Sequence, residues 1–178
     1  MLFRSENIIK IKKKVNDQVI IIAADGATTA LLNQGIQPHV IISDLDGDIE
    51  KITEANKAGS CLVIHAHGDN ILDIKKHASN FVNKIGTVQI EPFGKVKNFG
   101  GFTDGDRCVF LADHFKAKKI YLFGFDFGTI VGKFSKKGHD TNYPATEIKK
   151  KKLEIAESLI NYVKEHSNIE ISNCTNHI

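Results

Sequence analysis

Residues 41–47 read Ile41-Ile42-Ser43-Asp44-Leu45-Asp46-Gly47. An apolar run ends in two carboxylates spaced i, i+2, and a glycine follows. A buried strand has no packing use for two acids at its end. The arrangement suits a divalent cation, since Mg²⁺ takes oxygen ligands, often one or two carboxylates together with substrate phosphates. Helix capping would use one acid, and a second adds self-repulsion unless a cation or a donor offsets it.

The same pattern recurs along the chain. Residues 19–24 are a short β-branched run stopped by Asp25-Gly26. A helix over 28–34 ends at Gly35, and Pro38 precedes the strand at 40–43. Asp48 starts a helix that Gly59 closes. A strand at 61–64 leads into His65-Ala66-His67-Gly68-Asp69-Asn70 and a helix over 71–81. A strand at 87–90, a glycine-rich loop and a helix over 106–115 follow. The strand at 120–123 is closed by Gly124-Phe125-Asp126-Phe127-Gly128. Residues 129–144 read as a flexible, Gly- and Lys-rich excursion. Ile148, Leu153, Ala156, Leu159, Ile160 and Val163 give the last helix, 147–165, an apolar stripe, and 169–171 reads as a closing strand.

Strand and helix alternating in this way predict an α/β fold with a mostly parallel sheet, a three-layer, Rossmann-like architecture. With 178 residues, 42% of them hydrophobic, the chain is expected to form one domain over 1–178. In open α/β sheets ligands bind outside the carboxyl ends of the strands. Asp25, then Asp44 and Asp46, then His65, His67 and Asp69, then Thr103, Asp104 and Asp106, and finally Asp126 are therefore expected along one edge.

Composition narrows the function classes. Twenty-four Lys and Arg against 21 Asp and Glu leave a net charge of +3, too mild to argue for nucleic acid. Cys61, Cys108 and Cys174 show no Cys-x-x-Cys spacing and read as reduced thiols. No apolar stretch approaches the ~20 residues of a membrane span. The charged stretch 1–16 has no signal-peptide core. A cytoplasmic protein without a membrane partner is expected.

Other readings of single residues stay open. Asp25-Gly26 also fits an ordinary turn, Asp48 an N-cap, and one of Asp104 and Asp106 a capping acid. Asp126, set among phenylalanines and glycines, needs a partner. The His65-x-His67-x-Asp69 string invites zinc, but Asn70 stands where the metallo-hydrolase pattern has a further histidine. Asp44-Leu45-Asp46-Gly47 resembles the nucleophile loop of haloacid-dehalogenase-type phosphatases. That loop follows the first core strand and continues with Thr or Val, whereas here it follows the second strand and Asp48 comes next. Lys149 to Lys152 form either a solvated helical face or the neighbour of a polyanion, since a helix N-terminus disfavours cations. With Lys133, Lys136 and Lys137 they suggest a lid over nucleotide phosphates.

Taken together, Ala24-Asp25-Gly26-Ala27, Gly35-Ile36-Gln37-Pro38 and Ser43-Asp44-Leu45-Asp46-Gly47 resemble the catalytic domain of thiamin pyrophosphokinases. Ser43–Gly47, His65–Asn70, Gly101–Arg107 and Gly124–Gly128 are closer still to the archaeal-type 6-hydroxymethyl-7,8-dihydropterin pyrophosphokinase family. That resemblance, over about 19–152, implies Mg²⁺-dependent diphosphate transfer from ATP to a pterin alcohol, with AMP released, in folate or tetrahydromethanopterin biosynthesis. It implies Asp44, Asp46 and Asp25 as metal ligands, with Asp44, Asp46 and Asp104 in the catalytic centre. It turns Asp25, Gly26, Arg107 and Lys149 toward the nucleotide and His67, Asp69, Asn70 and Asp126 toward the acceptor. Phe99, Phe102, Phe125 or Phe127 could stack on the pterin ring. His39 stands where an aspartate often follows the proline. The thiamin enzyme adds a C-terminal β-sandwich for which the segment after the last helix leaves no room, which favours the pterin reading. Thiamin pyrophosphokinase is the enzymatic alternative. A non-catalytic nucleotide- or pterin-binding module is the other, raised by an earlier Gly-Pro-Ser loop of longer relatives. The related kinases commonly form dimers, so a homodimer is expected.

Overall fold

The structure, a computed structural model, describes residues 11, 18–135 and 138–175. Most of the charged N-terminal stretch, together with Lys136 and Lys137, lies outside the described residues.

The first part of the chain lays down four parallel strands in sequence order: β1 (Ile22–Ala24), β2 (Val40–Ser43), β3 (Cys61–Ala66) and β4 (Lys84–Val88). Between them run α1 (Ala27–Leu32), α2 (Ile49–Lys57) and α3 (Ile71–His77), with a short 3₁₀ turn, Ala78–Asn80, extending the last. Then come α4 (Asp104–His114), β5 (Lys119–Leu122), the two-residue strands β6 (Ile130–Val131) and β7 (Tyr143–Pro144), the long α5 (Glu147–His166) and β8 (Glu170–Asn173).

Alternation along the strands sets the layers, because successive side chains point to opposite faces. Ala23, Ile41, Leu62 and Ile64 pack with Leu31 of α1 and with Ile52 and Ala55 of α2. Ala24, Ile42 and Val63 face the other way, onto Cys108 and Leu111 of α4. A strand buried on both faces must be apolar at every position, as β2 is. The chain is thus an α/β protein whose parallel sheet is flanked by helices on both faces, a three-layer, Rossmann-like arrangement.

Several expected elements differ in detail. The first strand starts at Ile22 rather than residue 19, because Ile21 is tied instead to His39, whose Nδ1 accepts from the Ile21 N–H at 2.9 Å. The fourth strand is Lys84–Val88, set by parallel pairing of Lys84 with Leu62 and Val88 with Ala66. Beyond it the chain turns back, and Lys97 bonds across to Gly86 and Val88, covering the outer edge. The fifth strand pairs with β8 in a separate two-stranded parallel sheet. Leu122 there joins Val109 of α4 and Ile160 and Val163 of α5 in a third apolar cluster. The excursion expected at 129–144 contains an antiparallel hairpin, β6 against β7, with a 3₁₀ turn at Lys133–Ser135. Among the described residues no helix is long and apolar enough to cross a membrane.

Candidate active site

Because all four strands of the main sheet run parallel, their carboxyl ends share one edge, and the loops leaving them enclose an open cavity of about 610 Å³. Asp25 follows β1, Asp44 and Asp46 follow β2, and one oxygen from each lies within 4.8 Å of the other two. The backbone is bent to bring them there. Asp25 and Leu45 both have positive φ, 41° and 70°, a region that non-glycine residues rarely enter and that clusters at functional sites. Leu45 is fully buried and anchors the turn, while Asp44 and Asp46 stay open to the cavity.

Polar contacts fix the acids. Ser43 Oγ donates to Asp25 Oδ1 at 2.7 Å and accepts from the Leu45 N–H at 2.9 Å. The Asp46 N–H donates to Asp44 Oδ1 at 3.2 Å, and His67 Nε2 lies 3.1 Å from Asp44 Oδ2. Asn70 acts from beneath. Its amide donates to the Asp44 and His65 carbonyls, both at 2.7 Å, and accepts from the His67 N–H at 3.2 Å. One side chain thus binds the ends of β2 and β3 together.

Burial and mutual repulsion govern the charges. Burial, with Asp46 and Asp44 adding repulsion, pushes Asp25 up to about 7 against the bond from Ser43. Burial would raise Asp44 too, but hydrogen bonding with the Asp46 side chain, the bond from the Asp46 N–H and His67 outweigh it and hold Asp44 below its usual value. Asp104, in the first turn of α4, is pushed well up by burial and by Asp25, Asp44 and Asp46, with Arg107 opposing. Asp104 therefore belongs to the acidic group electrostatically. Asp106 does not: it accepts from the Phe102 and Thr103 N–H groups and from the Thr103 hydroxyl, capping α4. Asp48 likewise caps α2, accepting from the Lys51 N–H at 3.4 Å.

Asp69, Asp126, Gly26, His67 and Lys149 all line the cavity. Asn70 and Arg107 do not; both are buried, Arg107 at 3% exposure. The guanidinium donates from Nη1 to the Gly100 carbonyl at 3.3 Å, while Nε and Nη2 have no protein partner. Gly101, at φ 86°, makes room for it, since a Cβ there would sit 2.6 Å from Arg107 Cγ. His65 is buried in the cavity wall, with both ring nitrogens unpartnered, and burial, then Arg107 and His67, lower it to about 3. It is a neutral imidazole at any ordinary pH.

Other cavity residues escaped the sequence reading: Gln89, Phe134, His139 and Tyr143. Gly47 is a further case. A Cβ there would meet both Asp25 oxygens at 2.5 Å, so only glycine leaves that carboxylate its place. Ser43, a polar residue closing an apolar strand, was the available signal for the contact to Asp25.

Comparison with known proteins supplies the family. The family model described as 6-hydroxymethylpterin diphosphokinase MptE-like matches residues 5–132. A protein of Methanocaldococcus jannaschii named 6-hydroxymethyl-7,8-dihydropterin pyrophosphokinase is 49% identical over 170 residues, covering 92% of this chain and 70% of that protein. Proteins of the same name from Methanothermobacter thermautotrophicus and Pyrococcus furiosus are 43% identical over 160 residues and 49% over 150. The matches cover 89% and 84% of this chain and 69% and 64% of those proteins. The chain belongs to the 6-hydroxymethylpterin diphosphokinase MptE-like family.

Proposed function

We propose that the chain transfers diphosphate from ATP to the hydroxymethyl group of 6-hydroxymethyl-7,8-dihydropterin and releases AMP. The observation that carries this reading is the meeting of Asp25, Asp44 and Asp46 within 4.8 Å at the mouth of the parallel sheet, in a chain of this family. An all-carboxylate set suits Mg²⁺ better than zinc, which prefers Cys and His. The raised Asp25 carboxyl fits the same view, because three acids held this close need a cation to ionise together. Asp25, Asp44 and Asp46 would hold the ion, which would supply Lewis acidity and charge neutralisation to the phosphates.

The chain's own groups do the rest. Ser43 and His67 orient the carboxylates of Asp25 and Asp44. Lys149 and Lys152 line the same cavity and offset polyphosphate charge. Phosphoryl chemistry of this kind depends on positioning and charge neutralisation more than on covalent help. The acceptor oxygen attacks the β-phosphorus, the bond to the oxygen bridging the α- and β-phosphorus breaks, and AMP leaves with that oxygen. A cluster carboxylate takes the hydroxyl proton. Asp69 and Asp126 offer acceptors for the amino and amide edge of the pterin, and Phe102 and Phe125 offer aromatic faces in the same cavity. Arg107, buried behind Asp104, serves as a fixed counter-charge. On this reading the chain works on small molecules in the cytoplasm, as a homodimer.

An AMP-release assay with ATP and Mg²⁺ tests the proposal against the dihydropterin, thiamin and no acceptor. Release is expected with the dihydropterin alone. Release with thiamin instead, or ligand binding with no AMP from any acceptor, overturns it.

A further inference from the structure

Gly26 lies in the cavity wall, and the segment that rests on it comes from far along the chain. A Cβ at Gly26 would fall 1.5 Å from the Phe134 carbonyl oxygen and 2.6 Å from its carbon. The backbone at Gly26, φ −59° and ψ −15°, is one that any L residue adopts. The glycine is therefore required for space and not for conformational freedom. What fills that space is the 3₁₀ turn Lys133–Ser135, carried by the β6–β7 hairpin. The hairpin is closed at its neck by the Ala145 N–H donating to the Thr129 carbonyl at 2.7 Å. Higher up, the Lys133 N–H donates to Asn142 Oδ1 at 3.1 Å.

This flap has a cavity side. Val131, Phe134, Ser135 and Tyr143 line it. The chain then passes through Thr146, the N-cap of α5, to Lys149 and Lys152, which line the same cavity. The flap and the lysines are thus joined through Thr146 and line the same cavity, where the lysines offer cations to a polyphosphate. Gln89, Phe102 and Asp69 come from loops that follow β3 and β4. Gly26 joins the flap to the acid cluster, for Asp25 is its neighbour in the chain.

We infer that Gly26 is a positioning residue. It seats residues 130–135 as the wall over the nucleotide and ties that wall to the carboxylate of Asp25. The inference rests on the pyrophosphokinase reading. It assigns Gly26 no contact of its own with the reacting phosphates.

The test is steady-state kinetics of the full chain with each substrate varied, for wild type, Gly26→Ala and Asn142→Ala. The Gly26→Ala variant removes no site side chain but displaces the flap, and Phe134 and Ser135 with it. Its KM for ATP should rise by about tenfold or more, the equivalent of one lost contact of moderate strength. Its KM for the dihydropterin should change far less than its KM for ATP. Asn142→Ala, at an exposed residue, loosens the flap from the other side and should raise the same KM by a smaller factor. It decides the matter alone if Gly26→Ala does not fold. A wild-type ATP KM in both variants, or an equal loss for both substrates, overturns the inference while leaving the pyrophosphokinase reading intact. An inactive wild type instead overturns that reading.

Discussion

Gly47 stands against the carboxylate of Asp25, with both oxygens 2.5 Å from where a Cβ would be. The two residues lie at the ends of neighbouring parallel strands, so the contact locks the β1 and β2 loops together. Gly47 is outside the left-handed region, which makes the effect of a substitution purely one of space. Gly47→Ala should keep the fold and push Asp25 out of the acid group. The expected result is a Mg²⁺ requirement raised by about tenfold or more, as for loss of support to a metal ligand. Titration of AMP release against Mg²⁺ reads it, and an unchanged midpoint would separate Asp25 from the metal.

Asp44→Asn and Asp46→Asn test the centre of the site directly. Each keeps the size of the side chain and removes one negative charge from a loop exposed to the cavity. Far-ultraviolet circular dichroism should stay native. Mg²⁺-dependent AMP formation should drop by at least ~100-fold in each. Retained turnover in both would remove the metal-site model.

Asn70 links elements that the sequence separates by 26 residues, through its bond to the Asp44 carbonyl. The family resemblance turned it toward the acceptor. The structure turns it inward. Asn70→Ala would leave two carbonyls and one N–H without their side-chain partner. The expected loss is about 1–3 kcal/mol of stability for the buried His65 carbonyl, with smaller additions from the two part-buried groups. Denaturant unfolding measures that loss. Saturating Mg²⁺ should recover part of it, because the cation re-imposes the loop geometry.

Fold class and the edge that carries the site were legible because both follow from local rules. The apolar strands and the acids just after them report a parallel sheet and its carboxyl end without knowledge of tertiary contacts. The family followed from four short motifs in order. What stayed hidden depends on long-range contact. Asp104 and Asp106 look alike in sequence, and only the loop folding over α4 commits Asp106 to the cap and leaves Asp104 with the other acids. Arg107 reads as a surface phosphate ligand until Gly100 and Gly101 wrap it. The flap had no periodicity to betray it, since each strand is two residues long and its support, Gly26, lies more than a hundred residues earlier.

The raised carboxyl of Asp25 gives a pH dependence with a definite sign. In the unfolded chain this group ionises at its ordinary value of 3.8, and burial raises it to about 7 in the folded protein. Between these values the native state holds a proton that the unfolded state has released. Stability then falls as pH rises. The contribution is fully present below 3.8 and is lost as pH climbs through about 7. Asp104, raised by burial and by the same neighbours, acts in the same direction. Metal-free protein should therefore lose stability on going from pH 5 to pH 8 relative to Asp25→Asn, which carries no titrating group there. Mg²⁺ should reverse the trend, binding more tightly as Asp25 gives up its proton. Thermal unfolding across that range, with and without Mg²⁺, reads both effects. A wild-type profile parallel to that of Asp25→Asn without metal would show that Asp25 is ionised throughout, and that the three acids tolerate one another without a cation.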